Sequence, residues 1–222
     1  MKVAHVESLI CKGEFASSVE YTEAMGTVLQ AVQEVEWPIG SGQFIINPMP
    51  HANGVRPLKA GFVRHLKASG WRNEQPVKLK SNLKVGNIDH CLSTSHGPIA
   101  IEWETGNVSS CHRSMNKLWL ALHEGSIASG VLVLPSRSLY DYLTFRIANY
   151  KELVPYFPCW RDDGITVGAL SIIVFEHDGV DVSVPLIPKG TEGLASAKAT
   201  HTRKEGRFAR HDNTHLTALS TS

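Results

Sequence analysis

Two apolar runs limit what this chain can become. Gly130-Val131-Leu132-Val133-Leu134-Pro135 and Gly168-Ala169-Leu170-Ser171-Ile172-Ile173-Val174-Phe175 carry almost nothing polar at either set of alternate positions. A strand of that kind has both faces covered, as happens when helices cross over a parallel sheet. Neither run approaches the length that spans a bilayer, and no longer one exists in the sequence. Helical spacing surrounds the runs. Over 17–35, Val19, Met25, Val28, Leu29, Val32 and Val35 recur on one stripe, with Ser17 or Ser18 as the N-cap. Trp37-Pro38, Gly40 and Gly42 end it, and Gln43-Phe44-Ile45-Ile46 forms a short apolar segment. A short helix is predicted over 59–68, and another over 108–123 with Met115, Leu118, Trp119 and Leu122 inward. Residues 138–157 read as a longer helix buried through Leu139, Tyr142, Leu143, Ile147 and Tyr150, and 180–187 as a more exposed strand. This order predicts an α/β fold, a mixed β-sheet flanked by helices.

A chain of 222 residues suits one domain with a sizeable core. The character changes near Lys189, where Gly, Ser, Thr, Ala, Lys and Arg take over, so 1–188 is read as the folded domain and 189–222 as a flexible, mildly basic tail. Net charge is +1, from 22 Lys+Arg against 21 Asp+Glu, which announces no global affinity for polyanions but leaves room for a local basic surface. The first residues lack the apolar core of a signal peptide. Cys11, Cys91, Cys111 and Cys159 are scattered without a CxxC pair, which argues against a zinc site or a disulfide framework. A cytoplasmic location, with no membrane contact, is the expectation.

The chemistry concentrates in Asn87-Ile88-Asp89 and Ile99-Ala100-Ile101-Glu102-Trp103-Glu104. Residues i and i+2 of a strand share a face, so Glu102 and Glu104 point the same way. If the two segments pair as a hairpin, Asp89 closes on that side, and three converging carboxylates repel one another unless a hard cation such as Mg²⁺ compensates them. The plainer alternative is a pair of solvated strand-end charges. Two features favour a site: Glu102 stands where an apolar strand emerges, and Asp89 follows an apolar residue at hairpin distance. No HExxH spacing occurs among the eleven histidines, which disfavours a zinc hydrolase, and His90 is expected to face away in a structural role.

The acidic set resembles the nuclease pattern PD-(D/E)xK, with Asp89 and Glu102 as its acids and Glu104 in place of the usual lysine. That replacement is typical of BglII/BamHI-type type II restriction endonucleases. Gly42-Gln43-Phe44-Ile45-Ile46-Asn47-Pro48, Gly70-Trp71-Arg72-Asn73-Glu74, Asn107, Arg113-Ser114 and Ser136-Arg137-Ser138-Leu139-Tyr140 extend the likeness over about residues 15–185.

The resemblance implies a restriction-endonuclease-like fold, with 1–188 as the endonuclease domain. It implies Asp89 and Glu102 as Mg²⁺ ligands, Glu104 as the residue that activates or positions the attacking water, and Glu74 as a fourth catalytic position. An ordinary loop carboxylate before Pro76 is the other reading of Glu74. Thr105 and Asn107 fall in a DNA-contacting loop, and Ser136, Arg137 and Ser138 in a loop that reads the major groove, although Ser136 or Ser138 could equally serve as a helix cap. Arg64, Lys67, Lys78 and Lys80 are candidate phosphate contacts. The implied activity is Mg²⁺-dependent cleavage of double-stranded DNA at a short, GATC-centred palindrome by a homodimer. Two rivals remain at this point: a structure-selective or repair nuclease of the same fold, and a catalytically inactive DNA-binding protein.

Overall fold

The computed structural model describes residues 1–82, 84–161 and 164–189. The tail expected over 189–222 therefore lies, apart from Lys189, outside the described residues. In chain order the elements are β1 (Lys2–Lys12), α1 (Gly13–Ala16), α2 (Val19–Gln33), β2 (Ile45–Ile46), α3 (Leu58–Ala68), β3 (Arg72–Pro76), β4 (Asn87–Leu92), β5 (Ile99–Trp103), α4 (Val108–His123), β6 (Ser129–Pro135), α5 (Arg137–Tyr140), α6 (Tyr150–Leu153), α7 (Phe157–Trp160), β7 (Gly168–Glu176) and β8 (Gly179–Val180).

Six strands form one mixed sheet in the order β1-β7-β6-β5-β4-β3. The three central strands, β5, β6 and β7, run parallel, while β4 and β3 on one side and β1 on the other are antiparallel to their neighbours. Alternation then sorts the core into two layers. Ile99, Ile101 and Trp103 of β5 join Val131, Val133, Ile173 and Phe175 under α2 and α3. Ala100, Leu132, Leu134, Leu170, Ile172 and Val174 face the other way, under α4, α6 and α7. This is the two-sided burial that the apolar runs require, and β6 and β7 are buried at every position.

Helix α2 starts where expected, with Ser18 accepting from the Tyr21 amide. Helix α4 occupies the predicted span and is capped by Asn107. It lies close on β6: a Cβ at Gly130 would sit 3.0 Å from Leu118 Cβ and 3.0 Å from Leu170 Cδ1. Only glycine leaves the helix its seat.

Two expectations fail. The long helix over 138–157 is instead α5, a loop, and the short α6, which is followed by a 3-10 turn and α7. Arg146 takes a left-handed φ of 72°, Asn149 begins a new helix through a capping box with Glu152, and Pro155 and Pro158 stand at helix starts. The strand over 180–187 shrinks to β8, paired with β2, because Asp181 turns the chain by accepting from the Ser183 amide. Edge strand β1 was not foreseen at all. Among the described residues, no helix is long and apolar enough to cross a membrane.

Candidate active site

The β4–β5 register pairs His90 with Ile101, Cys91 with Ala100 and Leu92 with Ile99. The backbone pairing ends there, and Asp89, the next residue of β4, reaches β5 through its side chain, which accepts from the Trp103 amide. On the other side of β4, Asn73 pairs with His90 and Gln75 with Ile88, so Glu74 lies opposite Asp89. Glu74, Asp89 and Glu102 thus lie on three adjacent strands, with the Asp89 charge close enough to act on Glu102. Glu104 follows β5, its amide donating to Val133 O at 2.8 Å and so prolonging the pairing with β6.

Each inner carboxylate has a fixed partner. Asp89 Oδ2 accepts from the Trp103 amide at 2.9 Å and from Lys59 Nζ at 2.7 Å. Glu102 Oε1 accepts from Lys117 Nζ at 2.5 Å. Ser114 Oγ donates to Glu104 Oε1 at 2.5 Å. Glu102 and Glu104 therefore both face α4, as the two-residue spacing on a strand requires. Glu102 is only 5% exposed, and burial pushes its carboxyl up to about 7. The Lys117 ammonium pulls it down, while the charges of Asp89 and Glu104 push it further up. Glu74 is exposed on edge strand β3, not in a loop, and holds a left-handed φ of 50° that few residues with a side chain adopt.

His90 turns to the other layer. It is buried against Phe62 and hydrogen-bonded to Asn73 Oδ1 at 2.9 Å. Burial, helped by the nearby Lys59 charge, lowers its ring to about 4, so it remains neutral. The two lysines are what sequence reasoning missed. Lys117 lies three residues after Ser114 on α4, a spacing that shares a helix face, but Lys59 reaches Asp89 only through the packing of α3.

Strands β5 and β6 are parallel, so the loops leaving their C-terminal ends are neighbours. The first holds Thr105, Gly106 and Asn107, with Asn107 Oδ1 accepting from the Ser110 amide at 3.0 Å. The second holds Ser136, Arg137 and Ser138. Ser136 is buried; its hydroxyl caps α5 by accepting from the Leu139 amide and donates to Glu176. Arg137 is exposed, ion-paired with Asp141 at 2.8 Å and stacked over Tyr140. Ser138 is exposed beside it. Arg64 sits elsewhere, next to Glu36. A groove of about 670 Å³ opens beside the acidic row, lined by Lys84, Ser109, Arg113, Asn116 and Lys117 among others.

The donors on offer are hard carboxylate oxygens, suited to a cation such as Mg²⁺ rather than to a soft metal. Among the described residues, no three His, Cys, Asp or Glu side chains are placed together to hold a metal ion. Lysine ammoniums sit on the two carboxylates that the sequence assigns to it.

A family model described as restriction endonuclease BamHI matches residues 1–194. The type II restriction enzyme OkrAI of Oceanobacter kriegii is 42% identical over 195 residues, covering 88% of this chain and 99% of the relative. The type II restriction enzyme BamHI of Bacillus amyloliquefaciens is 36% identical over 185 residues, covering 76% and 84%. Among solved structures, restriction endonuclease BglII complexed with a DNA 16-mer superposes with a TM-score of 0.54 at 12% identity, over 80% of this chain and 79% of that one, a likeness of fold.

Proposed function

The chain belongs to the BamHI family of type II restriction endonucleases, site-specific deoxyribonucleases, and from that premise we propose that it cuts both strands of duplex DNA as a Mg²⁺-dependent homodimer at a short palindrome with a GATC centre. The observation that carries this reading is the gathering of Glu74, Asp89 and Glu102 on three adjacent strands, with Glu104 two residues further on. The rival readings, a structure-selective nuclease and an inactive binding protein, are set aside by the family.

Asp89 and Glu102 are the residues that would hold the metal. Bound there, a divalent ion neutralises charge on the scissile phosphate and the leaving oxygen and acidifies water. Glu104 takes the proton of the attacking water. Its Oε1 is fixed by Ser114, and its Oε2 lies where a Cβ at Gly106 would come within 3.3 Å, so the missing side chain keeps that oxygen approachable. Glu74 orients the same water or the phosphate from the outer end of the row. Thr105, Asn107, Arg137 and Ser138 contact the bases, with Arg137 exchanging Asp141 for a guanine edge. Ser136 acts through the cap that presents Arg137.

Digestion of plasmid DNA with Mg²⁺, followed by sequencing of the ends, tests the proposal. Discrete fragments ending at one GATC-centred palindrome are expected, with cleavage lost in Asp89→Ala, in Glu102→Ala and on chelation. A smear, or full activity in both variants, would sink it.

A further inference from the structure

The mechanism above leaves two lysines unused, and both are bound to the acidic row. Lys117 comes from the middle of α4 and is only 11% exposed at its side chain; its ammonium donates to Glu102 Oε1 at 2.5 Å and to Asn87 O at 2.7 Å. Lys59 comes from α3, on the other layer of the sheet, and meets Asp89 Oδ2 at 2.7 Å. One ammonium therefore lands on each of the two carboxylates read as metal ligands, from opposite sides. Acidic side chains this close together demand positive charge, and Glu102 is too buried for water to supply the compensation. An ammonium and a divalent ion cannot share the same oxygens, because like charges at contact distance repel strongly where solvent is excluded.

We propose that Lys59 and Lys117 are positioning residues that stand in the place of the divalent ion in the metal-free protein, and that metal binding displaces both ammoniums from Asp89 and Glu102. The inference rests on the reading of those two carboxylates as metal ligands. Displacement needs no unfolding. Lys117 already lines the open groove it shares with Lys84 and Arg113, and Lys59 is about one-third exposed. The lysines keep an empty site folded and make the metal compete for it, so they set the affinity.

Calorimetric Ca²⁺ binding to the full chain without DNA separates the possibilities. Lys59→Met and Lys117→Met keep the aliphatic stem and remove the charge. The double variant is expected to bind Ca²⁺ at least tenfold tighter than wild type, while Lys59→Arg and Lys117→Arg stay near wild type. A purely structural role would instead lower the melting temperature without tightening the metal. Unchanged or weaker binding in the double Met variant, or no binding in either protein, overturns the proposal. If the Met variants fail to fold, ¹⁵N-lysine spectra of the wild type decide. The Lys117 ammonium signal, assigned by its loss in Lys117→Arg, must shift at saturating Ca²⁺, and an unmoved signal refutes displacement. Asp89→Asn and Glu102→Gln tell the two failures apart. If they bind Ca²⁺ as well as wild type does, the metal assignment itself has failed.

Discussion

Ser114 and Lys117 lie three residues apart on α4, about 4.5 Å along its axis. Glu104 lies two residues after Glu102, just past the end of β5, about 6.6 Å along an extended chain. These similar spacings let one helix face serve two carboxylates at once, a hydroxyl for Glu104 and an ammonium for Glu102. Removing the hydroxyl leaves a buried carboxylate oxygen without its donor, which costs on the order of 1–3 kcal/mol. Ser114→Ala should therefore slow cleavage by about tenfold or more while DNA affinity in Ca²⁺ stays at the wild-type level. A parallel loss of affinity would show that Ser114 supports the whole surface and not Glu104. Glu176 supports a different loop. Burial alone would raise its carboxyl, but hydrogen bonds from the His177 ring, from Ser136 and from the His177 amide outweigh it and hold it at about 2. A depressed carboxylate stabilises the fold above its ordinary value of 4.5, and that contribution disappears as pH falls toward 2. The difference in unfolding free energy between wild type and Glu176→Gln should be on the order of 3 kcal/mol near neutrality. It should shrink steadily in acid unfolding curves below about pH 4.5. A pH-independent difference would show that the loss is one of packing.

Among the elements, those with an unbroken period could be read from the sequence. Helices α2 and α4 and strands β6 and β7 declared themselves because each buries one stripe, or both faces, along its whole length. The same logic misled at 138–157, where Leu139, Leu143 and Ile147 keep helical spacing through a segment that a left-handed Arg146 and the Asn149 cap divide. Strands β1 and β3 sit at the sheet's edges, and the Arg72-Asn73-Glu74-Gln75-Pro76 sequence of β3 carries no apolar alternation, so only pairing with β4 makes it a strand. That pairing is what turns Glu74 from a loop carboxylate into a neighbour of Asp89. The approach of Asp89 to Glu102 was legible because a hairpin is local. Lys59 was not, since α3 meets β4 only after the sheet is assembled, while Lys117 shows in the sequence only as sharing a helix face with Ser114. At this scale the seat of α4 matters most. Gly130→Ala introduces a methyl 3.0 Å from Leu118 Cβ, so α4 must shift outward by a few tenths of an ångström. A loss of about 1–3 kcal/mol in stability follows. Cleavage at a temperature where the variant is fully folded should fall as well, because Ser114 and Lys117 move with the helix. Unimpaired cleavage would mean that the α4–β5 contacts tolerate the shift.

For the whole molecule the question is how one acidic row per chain cuts two strands. A palindromic duplex presents two equivalent phosphodiester bonds related by a two-fold axis, and a symmetric pair of chains presents two rows related in the same way. A lone chain would have to nick, release and rebind in the opposite sense, which accumulates nicked circles. With a net charge of only +1, the chain has no bulk electrostatic hold to keep it on the duplex between two such events. Two chains acting together should convert a single-site supercoiled plasmid directly to the linear form. The decisive mixture pairs wild type with Glu102→Gln, each carrying a different affinity tag, and isolates the mixed dimer. On the proposed arrangement of one row per strand, that dimer should yield nicked circles at close to the wild-type rate for the first strand and almost no linear product. Linear product from the mixed dimer at the wild-type rate would mean that a single row cuts both strands in turn.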